Sequence, residues 1–242
     1  MGFSGAVSQM SQDRCRFSVI VPVRGESVQI NALIEHICGT AQSYKCQIIV
    51  VDGDPAGATI GSIRDSNVIA LTSEPGRGRQ MNAGAAIASG DVLIFLHADT
   101  RLPPRAFTKI DHLLENDDCV GGAFALGIDS KRVGIRYVEL AAAFRCRFLR
   151  VPYGDQAIFM RKDYFEHVGG YREIQLMEDI DLMRRVKRAG GKISIIDDRV
   201  STSARKWERD GIFFGSLRNH ILAGLFYLGV SPEKLARFYY DR

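Results

Sequence analysis

The sequence predicts an α/β domain with a mostly parallel central sheet flanked by helices. Three observations carry that prediction. Short apolar runs recur at Phe17–Val23, Cys46–Asp52, Val68–Thr72 and Val92–Leu96, and uninterrupted runs rich in branched residues suit strands buried on both faces. Segments with helical apolar spacing lie between them, and strand–helix alternation calls for parallel pairing through right-handed crossovers. The second and fourth runs also deliver Asp52 and Asp99 to their downstream ends. In open α/β sheets, that is the end where ligands bind.

Composition bounds the function. The chain has 242 residues, 46% hydrophobic and 25% charged, which is ordinary for one globular domain. Formal net charge is +4, but acidic residues interleave with basic ones, so no nucleic-acid partner is indicated. A mildly basic balance fits an anionic small substrate or a membrane surface equally well. The five cysteines (Cys15, Cys38, Cys46, Cys119, Cys146) are scattered, odd in number and without a CxxC pair. Such usage points to a reducing, cytoplasmic setting without structural disulfides or zinc. Met1–Arg16 lacks the apolar centre of a secretory signal and reads as a loose tail over 1–16. The folded domain is expected over 17–210, and a helical C-terminal segment over 211–242.

Taken in order, Phe17–Val23 reads as a buried strand and Ser27–Ala41 as a helix with Ile30, Leu33, Ile34 and Ile37 inward. Cys46–Asp52 is the second strand, broken by Gly53-Asp54-Pro55. A short helix near Thr59–Asp65 precedes the third strand, Val68–Thr72. Pro75–Arg79 is expected as a loop and Gln80–Ala88 as a small-residue helix. Val92–Leu96 then carries His97 and Asp99 into a stretch closed by Pro103-Pro104. A helix is expected over Arg105–Asn116, a strand over Val120–Ile128, and a helix over Gly134–Phe148 with Ile135, Val138, Leu140–Ala143 and Phe144 on its inner face. Tyr153–Met160 is a loop entering a strand. Glu178–Ala189 is a helix turning Leu182, Met183 and Val186 inward and Arg184 and Arg185 outward, and Ile193–Ile196 is the last strand.

Four blocks in this order, FSVIVPVRGE, IIVVDGD, IFLHADT and MEDIDL, resemble family 2 glycosyltransferases of the GT-A fold. The GRGRQMNAGAAIASGD segment is similar to that family's Arg-Asn-x-Gly helix. The likeness runs from Phe17 to about Lys192. The HADT block with the YGDQ and RKWE segments resembles a small bacterial subfamily of family 2-like transferases. The resemblance implies a GT-A-like single domain that moves a sugar, with inversion, from a nucleotide-diphospho-sugar donor to an acceptor it leaves unknown. It also implies Mg²⁺ or Mn²⁺ on the diphosphate.

It assigns roles residue by residue. Asp52 would bond the donor's base or ribose, although an Asp before glycine also suits a turn. Pro22 and Glu26 stand in the family's Pro-x-x-x-Glu spacing; Glu26 either lines the base pocket or caps the next helix. Arg77 and Arg79 would reach the diphosphate, or else form a solvated basic loop. His97-Ala-Asp99 occupies the place of the family's Asp-x-Asp, so Asp99 remains as metal ligand while His97 ligates, contacts phosphate or fills space. Glu178-Asp179 matches the family's acidic pair, with Asp179 as general base, against the alternative that acids merely favour a helix start. Arg205, in a basic and aromatic segment with Trp207, would close over the diphosphate. Gly154-Asp155-Gln156 faces the acceptor or forms a turn.

Beyond Ile212 the chain is strongly apolar, broken by Arg218-Asn219-His220, and too short to span a bilayer. It docks on the domain, forms a homodimer, or lies peripherally at the inner face of a membrane. Two rival functions remain open. A sugar nucleotidylyltransferase also uses a basic glycine loop, but there the loop directly follows the first strand. A non-catalytic module would bind nucleotide without consuming a donor.

Overall fold

The computed structural model describes residues 15–240; the expected tail falls, as far as residue 14, outside them. Seven strands make the main sheet: β1 (Phe17–Val23), β2 (Cys46–Asp52), β3 (Ile69–Thr72), β4 (Val92–Phe95), β6 (Cys119–Ala125), β8 (Phe159–Arg161) and β9 (Lys192–Arg199). Their spatial order is β3-β2-β1-β4-β8-β6-β9. All pairings are parallel except those of β8, which runs antiparallel to both β4 and β6. A small second sheet orders β5 (Thr100–Arg101), β10 (Ser201–Ser203) and β7 (Ile128–Asp129) as β5-β10-β7. Period-two patterning over so few residues is invisible in sequence, and this sheet was not expected.

Strand alternation builds two apolar layers. Phe17, Val19, Val21, Val50, Val92 and Ile94 meet α1 (Ile30–Ala41), α3 (Ala106–Leu113) and the inner face of α4 (Val133–Leu149). Ile20, Ile49, Val51, Leu93 and Phe95 meet α2 (Arg77–Ile87), α6 (Glu178–Arg188) and α8 (Ile212–Tyr227). Phe17 and Phe107 pack edge to face at 5.1 Å, so truncating Phe107 to Ala should cost about 3–5 kcal/mol. α2 lies unusually close to the sheet. A Cβ on its Gly84 would come within 2.5 Å of an Ile20 methyl.

Pro22 sits inside β1 without breaking the sheet. Ile20↔Phe95 is the last β1–β4 pair, so the missing Pro22 N–H lies past the point where β4 has turned away. The remaining helices are α5 (Lys162–His167), α7 (Arg205–Asp210) and α9 (Pro232–Tyr240). Among the described residues, no helix is long and apolar enough to cross a membrane.

Four expectations change. The segment Arg77–Arg79 is the first turn of α2 rather than a loop, because Gly76 at φ 141° turns the chain before it. The strand over Val120–Ile128 is divided, β6 ending at Ala125 and β7 joining the second sheet. On α4, Ile135, Glu139, Ala142 and Cys146 are buried, whereas Leu140 and Phe144 point outward. Arg185 also differs, since it turns in to Asp181 and to the carbonyls of Val168 and Gly170.

Candidate active site

The downstream ends of β1, β2 and β4 carry Pro22, Glu26, Asp52 and Asp99, while Arg77, Arg79, Glu178, Asp179 and Arg205 come from the first turns of α2, α6 and α7. Asp52, ending β2, is fully buried. Its Oδ1 accepts from the Asp54 amide at 2.9 Å and its Oδ2 from the Thr59 amide at 3.1 Å. Thr59 Oγ1 in turn accepts from the Glu26 amide at 3.1 Å. In this arrangement Asp52 shapes the Gly53–Thr59 loop and ties it to the start of α1.

Asp99 and Arg205 meet around one cavity of about 290 Å³, lined among others by Gln29, Asp129 and Ser203, and Glu26 is near enough to feel both of their charges. Arg205 Nη2 donates to Gln29 Oε1 at 3.0 Å and its Nε to Ser203 Oγ at 3.2 Å. The second sheet makes this possible: the Ser203 amide donates to the Asp99 carbonyl at 3.1 Å, and Thr100 Oγ1 lies 3.0 Å from Thr202 Oγ1. Partial burial raises the pKa of Glu26. Arg205 and a hydrogen bond from Gln29 oppose that rise, while the Asp99 charge adds to it.

A second group gathers at the start of α6. Arg77 Nη1 stands 3.9 Å from Glu178 Oε1, which joins the basic end of α2 to the acidic pair. Asp179 Oδ2 accepts from the Gly154 amide at 2.8 Å, and its Oδ1 from the Ile180 amide at 2.7 Å. A Cβ built on Gly154 would lie 2.8 Å from His97 Nε2 and 3.8 Å from Asp179 Oδ2. Gly154 is thus wedged between the HAD and Glu-Asp segments. Asp181, the third acid, is committed elsewhere, 2.7 Å from Arg185 Nε and 3.5 Å from Arg172 Nη1.

The backbone is strained on both sides of this contact. Met177, just before Glu178, has φ 70°, and Ala157, just after the Gly154–Gln156 turn, has φ 49°. Left-handed conformations at non-glycine residues are costly and concentrate at functional sites.

Not every expected residue converges. Arg79 is engaged by Glu173 at 2.8 Å on an exposed face. Trp207 is buried in the core cluster. Several positioning roles go beyond the sequence reading, which placed Gln80 and Asn82 on a helix and Gln156 in a turn or facing the acceptor. Gln80 Nε2 donates to the Val23 and Val51 carbonyls, both at 2.8 Å, clipping β1 to β2 where they diverge. Asn82 exchanges two hydrogen bonds with the Tyr171 backbone, at 2.8 and 2.9 Å. Buried Gln156 donates to the Phe124 carbonyl and accepts from Arg145 Nη2 at 2.8 Å, while the Arg145 guanidinium stacks 3.3 Å over the Tyr153 ring. Amides buried beside glycines, as in Gly-Arg-Gln and Gly-Asp-Gln, were the available signal.

A divalent cation fits only in a shared mode. Among the described residues, no three His, Cys, Asp or Glu side chains are grouped to hold a metal. Asp99 nevertheless lines an open polar cavity, and Mg²⁺ is commonly held by one or two carboxylates plus substrate phosphates. The His97 ring tip lies against Gly154 instead.

Residues 18–169 match the family described as "Glycosyl transferase family 2". The chain belongs to that family. This family 2 chain is 29% identical, over 120 residues, to the dolichol-phosphate mannosyltransferase of Pyrococcus furiosus, a match covering 46% of the chain and 34% of the relative. The chain therefore spans about a third of that relative's length. Solved structures of TarS from S. aureus share the fold at low identity. TarS 1-349 superposes with a TM-score of 0.59 at 15% identity, covering 91% of this chain and 68% of that one. The same fragment in complex with UDP-GlcNAc also scores 0.59 at 15% identity, over 78% of this chain and 58% of that one.

Proposed function

We infer that this family 2 chain transfers a sugar, with inversion, from a nucleotide-diphosphate donor to an acceptor hydroxyl. The observation that carries the reading is the convergence of Asp179, Gly154 and His97, with Arg77 opposite Glu178 beside them. In that reaction the acceptor oxygen attacks the anomeric carbon. The bond from that carbon to the nucleoside diphosphate breaks, and the acceptor proton passes to the Asp179 carboxylate. Its two backbone hydrogen bonds hold the side chain in one orientation while leaving lone pairs for the proton. Glu178 holds Arg77 near the leaving diphosphate.

At the donor side, Asp99 would carry Mg²⁺ or Mn²⁺, which neutralises charge on the diphosphate when bound. Arg205 lies on the same cavity wall and supplies a fixed positive charge to the phosphates. Pro22, Glu26 and the loop shaped by Asp52 frame the base and ribose. Arg79 contributes positive charge at the helix start, tempered by Glu173. A nucleotide-sugar donor is supported by the names of the relatives: one is a mannosyltransferase, and one was solved with UDP-GlcNAc. Residues 17–210 form the catalytic domain in this reading, and the segment from 211 to 240 is helical and packed on it.

The test is release of nucleoside diphosphate from a panel of UDP- and GDP-sugars, with and without Mn²⁺. Pyrophosphate formed from a nucleoside triphosphate would favour the nucleotidylyltransferase instead. Nucleotide binding with no donor turnover on any sugar would leave the non-catalytic module.

A further inference from the structure

Two helices turn apolar stripes away from the core. On α4, Val133, Tyr137, Leu140, Phe144 and Phe148 fall at helical spacing on one side. Tyr137, Leu140, Phe144 and Phe148 are each 64% exposed. Their opposite side, with Ile135, Ala142 and Cys146, already fills the core. On α8, Phe213, Leu217 and Ile221 are likewise exposed, while Leu222, Ala223 and Phe226 are buried. α4 and α8 pack against one another, Gly134 lying against Ile212. Contiguous exposed apolar surface of this kind marks a binding face rather than ordinary surface.

Charge identifies what it binds. Between Ser130 and Arg150 the one carboxylate is Glu139, which is buried and held by Arg136 at 2.6 Å and Arg199 at 3.0 Å. α8 contains no Asp or Glu. Lys131, Arg132, Arg147 and Arg150 are exposed at the two ends of the α4 stripe. The exposed charge on this face of α4 is therefore basic. A two-fold pairing with a second copy would set these cations against their equivalents, with no exposed carboxylate on α4 or α8 to answer them. An anionic bilayer surface satisfies both the stripe and its rim.

We propose that the outward faces of α4 and α8 dock this chain on an anionic lipid surface. The aromatic and aliphatic side chains enter the headgroup boundary, and the rim cations meet lipid phosphates. The test is co-sedimentation of the full chain with phosphatidylcholine vesicles, with and without phosphatidylglycerol. Binding to the anionic vesicles, weakened by salt, is expected. The double variant Phe144→Ser/Phe148→Ser should lose about tenfold or more in partitioning, since each removes a buried aromatic contact with lipid. Arg147→Glu/Arg150→Glu should abolish the preference for anionic vesicles. Neither pair touches the core, so both variants should stay folded without vesicles, the charge reversals losing only a little stability at the C-terminal turn of α4, and a variant that unfolds is replaced by its partner pair. Equal binding to neutral vesicles, or no binding, overturns the proposal. A solution dimer that Phe144→Ser/Phe148→Ser dissociates, without vesicle binding, also overturns it and assigns the face to a second copy.

Discussion

The Gly154 amide donates to Asp179 Oδ2 at 2.8 Å, although the two residues lie 25 positions apart. This single bond ties the turn after α4 to the start of α6. An acid serving only to cap its own helix would have no use for it, and the other oxygen already accepts from the adjacent Ile180 amide.

Asp179→Asn keeps the size of the side chain but cannot take a proton. Turnover should fall by roughly 10²–10⁴-fold with donor affinity close to wild type. Loss of a helix cap alone would instead lower stability by about 0.5–2 kcal/mol, and less with asparagine, leaving turnover per folded molecule unchanged. Nucleoside-diphosphate release, measured beside thermal unfolding, separates the two.

Gly154→Ala should drive a methyl group to within 2.8 Å of His97 Nε2. The expected destabilisation is about 1–3 kcal/mol, as for other overpacked sites, with reduced turnover as Asp179 loses its anchor. Adding His97→Ala should recover part of the stability. A strictly additive double variant would mean that the two side chains do not meet.

Asp99→Asn should remove the metal-dependent part of nucleotide binding. In wild type, UDP or GDP with Mn²⁺ at a hundred times the dissociation constant should add about 2.7 kcal/mol to stability. If the variant responds to Mn²⁺ as wild type does, Asp99 is not the ligand.

The raised pKa of Glu26 has a defined consequence for stability. The fold favours its neutral form, so its contribution is complete below the unfolded value and is lost as pH rises through the folded one. Glu26→Gln should therefore gain stability over wild type at neutral pH and lose that advantage in acid. Melting curves from pH 3 to 7, taken without metal, test the direction; an advantage confined to acid would contradict it.

Deletion from Ile212 onward removes Leu222, Ala223 and Phe226 from the layer that covers α6. A Leu or Phe side chain is worth about 1.5–3 kcal/mol when buried, so the shortened chain should aggregate. A monodisperse fragment with an unaltered melting temperature would show that α8 adds nothing to the core.

Much of this was legible from residues. β1 and β2 appear with their expected bounds because continuous branched runs leave little choice of structure. α4 was found but its faces were misassigned. Periodicity locates an apolar stripe without saying what covers it, and this helix carries apolar residues on two sides. The site was legible where acids stand at strand ends or helix starts. Gln80, Asn82 and Gln156 bond backbone groups far along the chain, and although their amides stand near glycines, nothing local says which backbone group each will reach.

The strand order also governs how the chain comes off the ribosome. β4 is held by β1 on one side, but its other edge is closed only by β8, starting at Phe159. Until then Val92–Phe95, wholly buried in the finished protein, presents an unpaired apolar edge, the form of strand most prone to join another chain. Nascent chains stalled before β8 are thus where chaperone dependence should be concentrated.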